Sequence, residues 1–193
     1  MPTNLDPHIA ALRHSASVAS LNYDIWWAYK SKEHRPIYVA TMNRYPGFFE
    51  TSIYAHFVAL LVALYPMYET RRDTFNIPRL LKVLDKEGHV PDKVLAKANA
   101  IHAEAKPLWV RVGVLRNNAF GHRSDSKTVK EAFKEAGITP DQLKKLIELT
   151  KRLLNTISLA LDGTVHLFNR AATEATLRVL HDLKECMAHR GRA

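Results

Sequence analysis

The sequence predicts an all-α fold. Apolar residues recur every three to four positions along most of the 193-residue chain, which is the period of an amphipathic helix. No segment shows the strict alternation of apolar and polar residues that marks a half-buried strand. Glycine is scarce, at 7 residues, whereas the good helix formers Leu, Ala and Lys are plentiful.

The N-terminal third contains two predicted helices. The first runs from about Asp6 to Lys30, and the polar stretch SKEHRPIYVATMNRYPG is expected to link it to the second. The second begins near Pro46, since proline is tolerated in a first helical turn, and ends around Tyr68. Its run IYAHFVALLVALYPMY is the most apolar of the chain, but we expect it to fall short of a membrane span and to form a buried core helix.

The middle of the chain continues the helical pattern. The segment IPRLLKVLDKE predicts a short helix, with Asn76 or Thr74 as its N-cap and Gly88 at its end. The next predicted helix begins after HVPD and reaches the segment LRNNAFGHRSD. Pro107 lies inside it, and a proline there should kink or split the helix.

Two helix starts follow the segment LRNNAFGHRSD. Thr128 and Glu131 have the spacing of a capping box before a short helix that Gly137 should end. The tetrapeptide TPDQ predicts a second start, in which Thr139 caps the helix and Gln142 reaches back to it.

The C-terminal part has the longest run of helical periodicity. The pattern passes Gly163, so one long helix with a soft point there and two consecutive helices both fit. We predict a helical bundle over residues 1–163 and a helical extension over residues 164–193. The extension would pack on the bundle or on a partner subunit.

The charge of the chain limits its partners. Lys and Arg number 28 against 19 Asp and Glu, a net charge of +9 that favours polyanions such as RNA. Many small proteins, however, are basic without a specific partner. The single Cys186 excludes an internal disulfide, and the N-terminus has no signal-peptide pattern, so we expect a cytoplasmic protein that does not bind membranes.

The segment RNNAFGH brings an arginine and a histidine together. Arg116 and His122 are six residues apart and would point about 120° apart on a continuous helix. If Gly121 ends the helix, His122 can turn back towards Arg116, beside the amide of Asn117. An imidazole can transfer protons at neutral pH, and a guanidinium can hold phosphate oxygens, so the pair suits RNA cleavage without a metal or other cofactor. Cleavage needs two proton transfers, which a two-fold dimer would supply.

The same segment resembles the Arg-polar-x4-His motif of the HEPN superfamily, small helical domains found in many RNA-cleaving toxins. The flanking segments FFETSIYAHFVALLVALYPMYETRRDTFNIPRLLK and AGITPDQLKKLIELTKRLLNTI are similar to AbiU-like abortive-infection HEPN proteins. The resemblance implies a bundle of four to five main helices, a homodimer with the motif at its interface, and a metal-independent endoribonuclease leaving a 2′,3′-cyclic phosphate. It assigns the catalytic roles to Arg116, Asn117 and His122, and it suggests phage defence or a toxin–antitoxin setting with a partner protein.

Other residues are weaker candidates for RNA binding or a metal. The expected RNA-binding residues are Arg111, Arg123, Lys127 and Arg72, with Arg71 and Arg79 as further members of a backbone-binding groove. Tryptophans that could stack on bases, but that more commonly belong to a core, are Trp26, Trp27 and Trp109. The spacing of His181, Glu185 and His189 could hold a metal, although a solvated basic tail is the preferred interpretation.

Two alternatives to catalysis remain open. The motif could be a helix terminus whose basic groups offset the helix dipole. The chain could also be a non-catalytic helical dimer that binds RNA or a partner protein.

Overall fold

The computed structural model describes residues 4–117, 129–168 and 171–190, and within these ranges it is all-α, as predicted. Eight α-helices and one 3₁₀ turn account for the regular structure of the described residues. The elements in chain order are α1 (Asp6–Lys30), α2 (Arg35–Met42), α3 (Pro46–Leu64), the 3₁₀ turn (Tyr65–Tyr68), α4 (Ile77–Glu87), α5 (Asp92–Arg116), α6 (Val129–Ala136), α7 (Pro140–Asp162) and α8 (Ala172–Arg190).

The chain forms two compact units. The first contains the residues up to Ser17 and those from Leu61 to Phe168, and the second contains residues 18–60 and 169–193. In the first unit α5 and α7 make the main helix–helix contact, and α4, α6 and the 3₁₀ turn pack on α5. The helix that carries Arg116 is therefore the central element of this unit.

The second unit has its own small core. Tyr29, Met42, Phe49 and Leu180 pack together, so α8 contacts elements of its own chain, α2 among them. The segment expected to be a linker contains helix α2, which the sequence analysis missed. The division predicted at residue 163 stays a prediction.

Local capping signals predicted several helix ends correctly. The side chain of Asn76 accepts a hydrogen bond from the backbone N–H of Arg79, and Gly88 ends α4 in the left-handed conformation. Thr139 and Gln142 form the reciprocal capping box at the start of α7. The predicted capping box of Thr128 with Glu131 cannot be followed, because Thr128 lies outside the described residues.

The structure decides two points that the sequence left open. Gly163 adopts a φ of 72° and ends α7, so two helices rather than one occupy the C-terminal part. Helix α5 runs through Pro107 without a break, which excludes the split, whereas the predicted kink stays a prediction. Pro107 and Ala103, four residues before it, are both exposed, so water can satisfy the carbonyl that loses its helical donor.

The most apolar run of the chain lies within a longer helical stretch, whose bounds agree with those predicted for the second helix. With the 3₁₀ turn, α3 forms the one stretch of the described residues, Pro46–Tyr68, that is long and apolar enough to cross a membrane by length and composition alone. The expectation that this run is too short is therefore wrong. Core helices of soluble proteins meet the same criterion, and Phe57, Leu60 and Leu64 are fully buried here, although only 28% of the most apolar window is buried.

Candidate functional site

The end of α5 carries the first two residues of the predicted catalytic motif. Arg116 is the last residue of the helix, and Asn117 caps it with its backbone N–H directed to the carbonyl of Gly113. The remaining predicted site residues of this region, Gly121, His122, Arg123 and Lys127, lie outside the described residues. The predicted approach of His122 to Arg116 therefore stays a prediction.

The guanidinium of Arg116 is exposed, and its charge is not neutralised by any residue that the structure describes. Its Nη1 donates a long hydrogen bond of 3.3 Å to Oδ1 of the adjacent Asn117. Within the described part of the chain, no carboxylate forms an ion pair with it. A positive charge that no acid neutralises is available to an anionic ligand such as a phosphodiester.

A tyrosine that was not predicted from the sequence packs against Arg116. The guanidinium carbon lies 4.9 Å from the centroid of the Tyr65 ring, within the range of a cation–π contact. Tyr65 belongs to the 3₁₀ turn, far along the chain from Arg116, so no local spacing could have indicated it. Among the described residues only Nη1 of this guanidinium has a hydrogen-bond acceptor, so its other N–H groups can bind a ligand.

Stacked aromatic rings pack against Tyr65. The Trp109 ring lies 5.6 Å from the Tyr65 ring at an interplanar angle of 26°, and its Nε1 donates to the Tyr65 carbonyl at 3.0 Å. Tyr68 stacks on Trp109 and on His102 in turn. Trp109 is thus engaged within the chain, and Trp26 is only 3% exposed, so neither presents a free face to RNA bases.

A glycine makes room for the Tyr65 ring. A Cβ atom added to Gly113 would lie 3.2 Å from Cε2 of Tyr65, closer than ordinary van der Waals contact. Gly113 lies in the interior of α5, where glycine costs helix stability, so close packing explains its presence.

A buried hydrogen bond anchors the aromatic stack to α7. The hydroxyl of Thr150 donates to the carbonyl of Leu146, so the Tyr68 hydroxyl must be the donor in its 2.7 Å contact with Oγ1 of Thr150. Burial raises the pKa of Tyr68 far above its ordinary value, although the bond to Thr150 opposes this shift. Tyr68 therefore stays protonated and fixes the turn that carries Tyr65.

The two RNA-binding candidates among the described residues, Arg111 and Arg72, have different surroundings. Arg111 donates from Nη1 to the carbonyl of Gly137 at 2.9 Å, so its guanidinium holds the turn between α6 and α7. Arg72 is exposed and lines a surface pocket before α4, together with Arg71 and Arg79. The two candidates thus differ in their surroundings, because Arg111 is bonded within the fold whereas Arg72 lines a pocket.

The other candidate groups show no metal site. No cluster of three or more His, Cys, Asp or Glu among the described residues is placed to hold a metal ion. His181, Glu185 and His189 are described residues and form no such cluster. His56 contacts Oδ1 of Asn22 through its Nδ1 at 2.8 Å and is only partly buried. Burial lowers the pKa of His56.

The fold and the motif define the class of protein, an all-α HEPN protein. A family model described as AbiU2 matches residues 2–181, and the chain belongs to this HEPN family, HEPN_AbiU2. It is an AbiU-like abortive-infection HEPN protein, and the predicted resemblance is confirmed. The match extends past Gly163 into α8, beyond the segment from which the resemblance was inferred. No curated protein and no solved structure matched the chain.

Proposed function

We propose that this protein is a metal-independent endoribonuclease that acts in phage defence, either alone or with an antitoxin or other partner protein in the cytoplasm. The observation that carries the proposal is Arg116 at the end of α5, which is exposed, has no acidic partner among the described residues and contacts Tyr65, in a chain of the HEPN_AbiU2 family. The net charge of +9 supports a polyanionic substrate.

The chemistry follows from an imidazole and a guanidinium acting on one phosphodiester. The ribose 2′-oxygen attacks the adjacent phosphorus as one imidazole removes its proton. The bond from phosphorus to the 5′-oxygen breaks, a second imidazole protonates that oxygen, and the products are a 2′,3′-cyclic phosphate and a 5′-hydroxyl. His122 would supply each imidazole, Arg116 would stabilise the charge on the phosphorane, and Asn117 would orient either group.

The need for two imidazoles supports a homodimer. Val110 and Val114 are 52% and 41% exposed, and with Asn117 they follow at i, i+4 and i+7 on one face of α5. A two-fold contact through this face would bury both valines and bring two motifs together.

Val114→Glu should give a monomer with little activity, measured by light scattering and RNA cleavage. Val179→Glu changes a more exposed valine, 57% against 41%, on α8 and should leave the dimer intact; a dimeric Val114→Glu protein would refute this surface.

The test of catalysis is cleavage of mixed RNA in EDTA by purified protein. Wild-type protein should cleave, whereas His122→Ala and Arg116→Ala should lose at least about 100-fold of the rate. Arg178→Ala removes an exposed arginine on α8 and should cleave at the wild-type rate. Equal rates in all four proteins, or no cleavage by the wild type, would reject the proposal. Salt-dependent RNA binding without cleavage would instead support the alternative of a non-catalytic binding dimer.

A further inference from the structure

A basic pocket precedes α4, in the same compact unit as Arg116. It has a volume of about 400 Å³ and is formed by residues between Thr70 and Lys82. Four of its lining residues are cationic, namely Arg71, Arg72, Arg79 and Lys82, and Asp73 is the one acid in this stretch of sequence. The pocket segment therefore carries a net charge of +3, from four positive charges and one negative charge.

The backbone of the pocket is held rigidly by a buried asparagine. Asn76 is 1% exposed, and its Nδ2 donates to the carbonyl of Arg71 at 2.7 Å and to that of Thr74 at 3.2 Å. The backbone carbonyl of Asn76 accepts a hydrogen bond of 2.9 Å from Nε2 of the buried His8. These bonds fix the loop before any ligand arrives, so little ordering is needed on binding.

The cations of the pocket divide into two kinds. Arg79 donates from Nη1 to the carbonyls of Arg72 and Thr74, and Arg71 forms a bidentate pair with Asp73. Arg72 and Lys82 are exposed, and within the described residues neither has a carboxylate partner. Two cations with no acid to neutralise them, in a concave and preformed setting, favour an anion with several oxygens.

The pocket lies close enough to Arg116 for one short RNA strand to contact both. Tyr65, which touches Arg116, is separated from Arg72 by the rest of the 3₁₀ turn and three further residues. At about 2.0 Å per residue in the turn and about 3.6 Å beyond it, the two residues are at most about 20 Å apart. One RNA strand of a few nucleotides can therefore reach both places.

We propose that the pocket binds a phosphate group of the RNA backbone through Arg72 and Lys82, as a second contact beside the site at Arg116. The proposal rests on the proposed function in that it takes RNA as the substrate. It makes the enzyme dependent on RNA length, because only an oligonucleotide that spans both places gains the second contact. Arg79 would act as a positioning residue that holds the loop.

The test measures binding of RNA that cannot be cleaved. A 2′-O-methyl oligonucleotide of about 12 nucleotides should bind Arg72→Ala/Lys82→Ala about tenfold more weakly than wild type, the effect of losing one charge-assisted hydrogen bond. The dependence of the binding constant on salt should also fall by about 0.7 in slope per lost phosphate contact. A dinucleotide of the same chemistry should bind both proteins equally.

The control removes the same charge elsewhere. Lys93→Ala/Lys97→Ala takes two exposed lysines from the start of α5, about 30 Å along the helix from Arg116, and should bind the long oligonucleotide much as wild type does. Equal weakening in both double variants would overturn the proposal, since net charge alone would then explain it. So would ATP binding that needs Arg72 and Lys82 while RNA binding does not, since the pocket would then take a free nucleotide.

Binding and catalysis are distinguished by this design. The oligonucleotide lacks a free 2′-hydroxyl, so it cannot be cleaved and its measured affinity does not depend on a cleavage step. If wild-type protein does not cleave RNA but the pocket variants still lose affinity, the proposed ribonuclease activity is rejected. The proposed phosphate binding in the pocket is then still supported. If cleavage occurs and the variants bind normally, the pocket fails alone.

Discussion

At the scale of single residues, Arg116 depends on groups that are distant in sequence. Its guanidinium rests on Tyr65, Tyr65 stacks on Trp109, and Tyr68 fixes the turn through Thr150. Binding a phosphate is favoured when the guanidinium is held in one orientation. A cation–π contact with an aromatic ring supplies this restraint without using the N–H donors of the guanidinium.

Tyr65→Leu should therefore reduce RNA cleavage while Tyr65→Phe should not. Leucine removes the ring beneath Arg116, whereas phenylalanine keeps it and loses only the hydroxyl. We expect the leucine variant to lose about fivefold in the cleavage rate, on the scale of a cation–π contact of about 1 kcal/mol. Circular dichroism would establish that both variants fold. Equal rates for the two variants would mean that the ring does not position Arg116.

Arg116 and Asn117 were predictable as site residues because their motif is contiguous in sequence. Tyr65 was not, because its contact with Arg116 exists only after the turn following α3 packs against α5. The interior glycine of α5, Gly113, was the one local sign of a close approach, and it gave no indication of its partner. Arg111 shows the converse case, a cation whose predicted role in RNA binding competes with its bond to the Gly137 carbonyl.

At the scale of elements, the predictions succeeded where the determinants are local. The starts of α4 and α7 are set by side chains within three residues of the bonds that they make, at Asn76 and Thr139. Helix α2 was missed because its N-cap residue, His34, makes no side-chain cap and because its packing partner α8 lies at the other end of the sequence. Propensity alone could not show that contact.

Thr139→Ala should destabilise the fold by about 1 kcal/mol, and Thr139→Ser should be nearly neutral. The alanine variant loses the acceptor for the backbone N–H of Gln142, which lies 3.2 Å from the threonine oxygen, whereas serine keeps it. Helix α7 carries much of the core of its unit, including Leu143, Leu146 and Leu153. Urea unfolding of the three proteins measures the difference, and equal midpoints would show that the cap is not needed.

At the scale of the whole molecule, several histidines connect stability to pH. Burial is the largest cause that lowers the pKa values of His8, His56 and His102, with the positive charge of Lys106 adding to the shift at His102. The backbone bond to Asn76 partly opposes the shift of His8. Each of these rings is therefore more easily protonated in the unfolded chain than in the folded one.

Stability should consequently fall as the pH drops below about 6.5, the ordinary pKa of histidine. In this range the unfolded chain takes up protons that the folded chain resists, and the loss levels off once the lower folded pKa values are passed. Urea unfolding at about pH 7.5 and about pH 5.5 measures the loss. His8→Gln should reduce the difference between the two pH values, and His14→Gln, at an exposed position, is the control. A stability that rises on acidification would contradict this account.

The most direct test of the central claim is the chemistry of the RNA ends. RNA incubated with the wild-type protein in EDTA should yield fragments with a 2′,3′-cyclic phosphate and a 5′-hydroxyl, because the nucleophile is the neighbouring 2′-oxygen. The same RNA with His122→Ala should remain intact. Fragments with a 3′-hydroxyl and a 5′-phosphate, or identical fragments from the His122→Ala protein, would contradict a site built from Arg116 and His122.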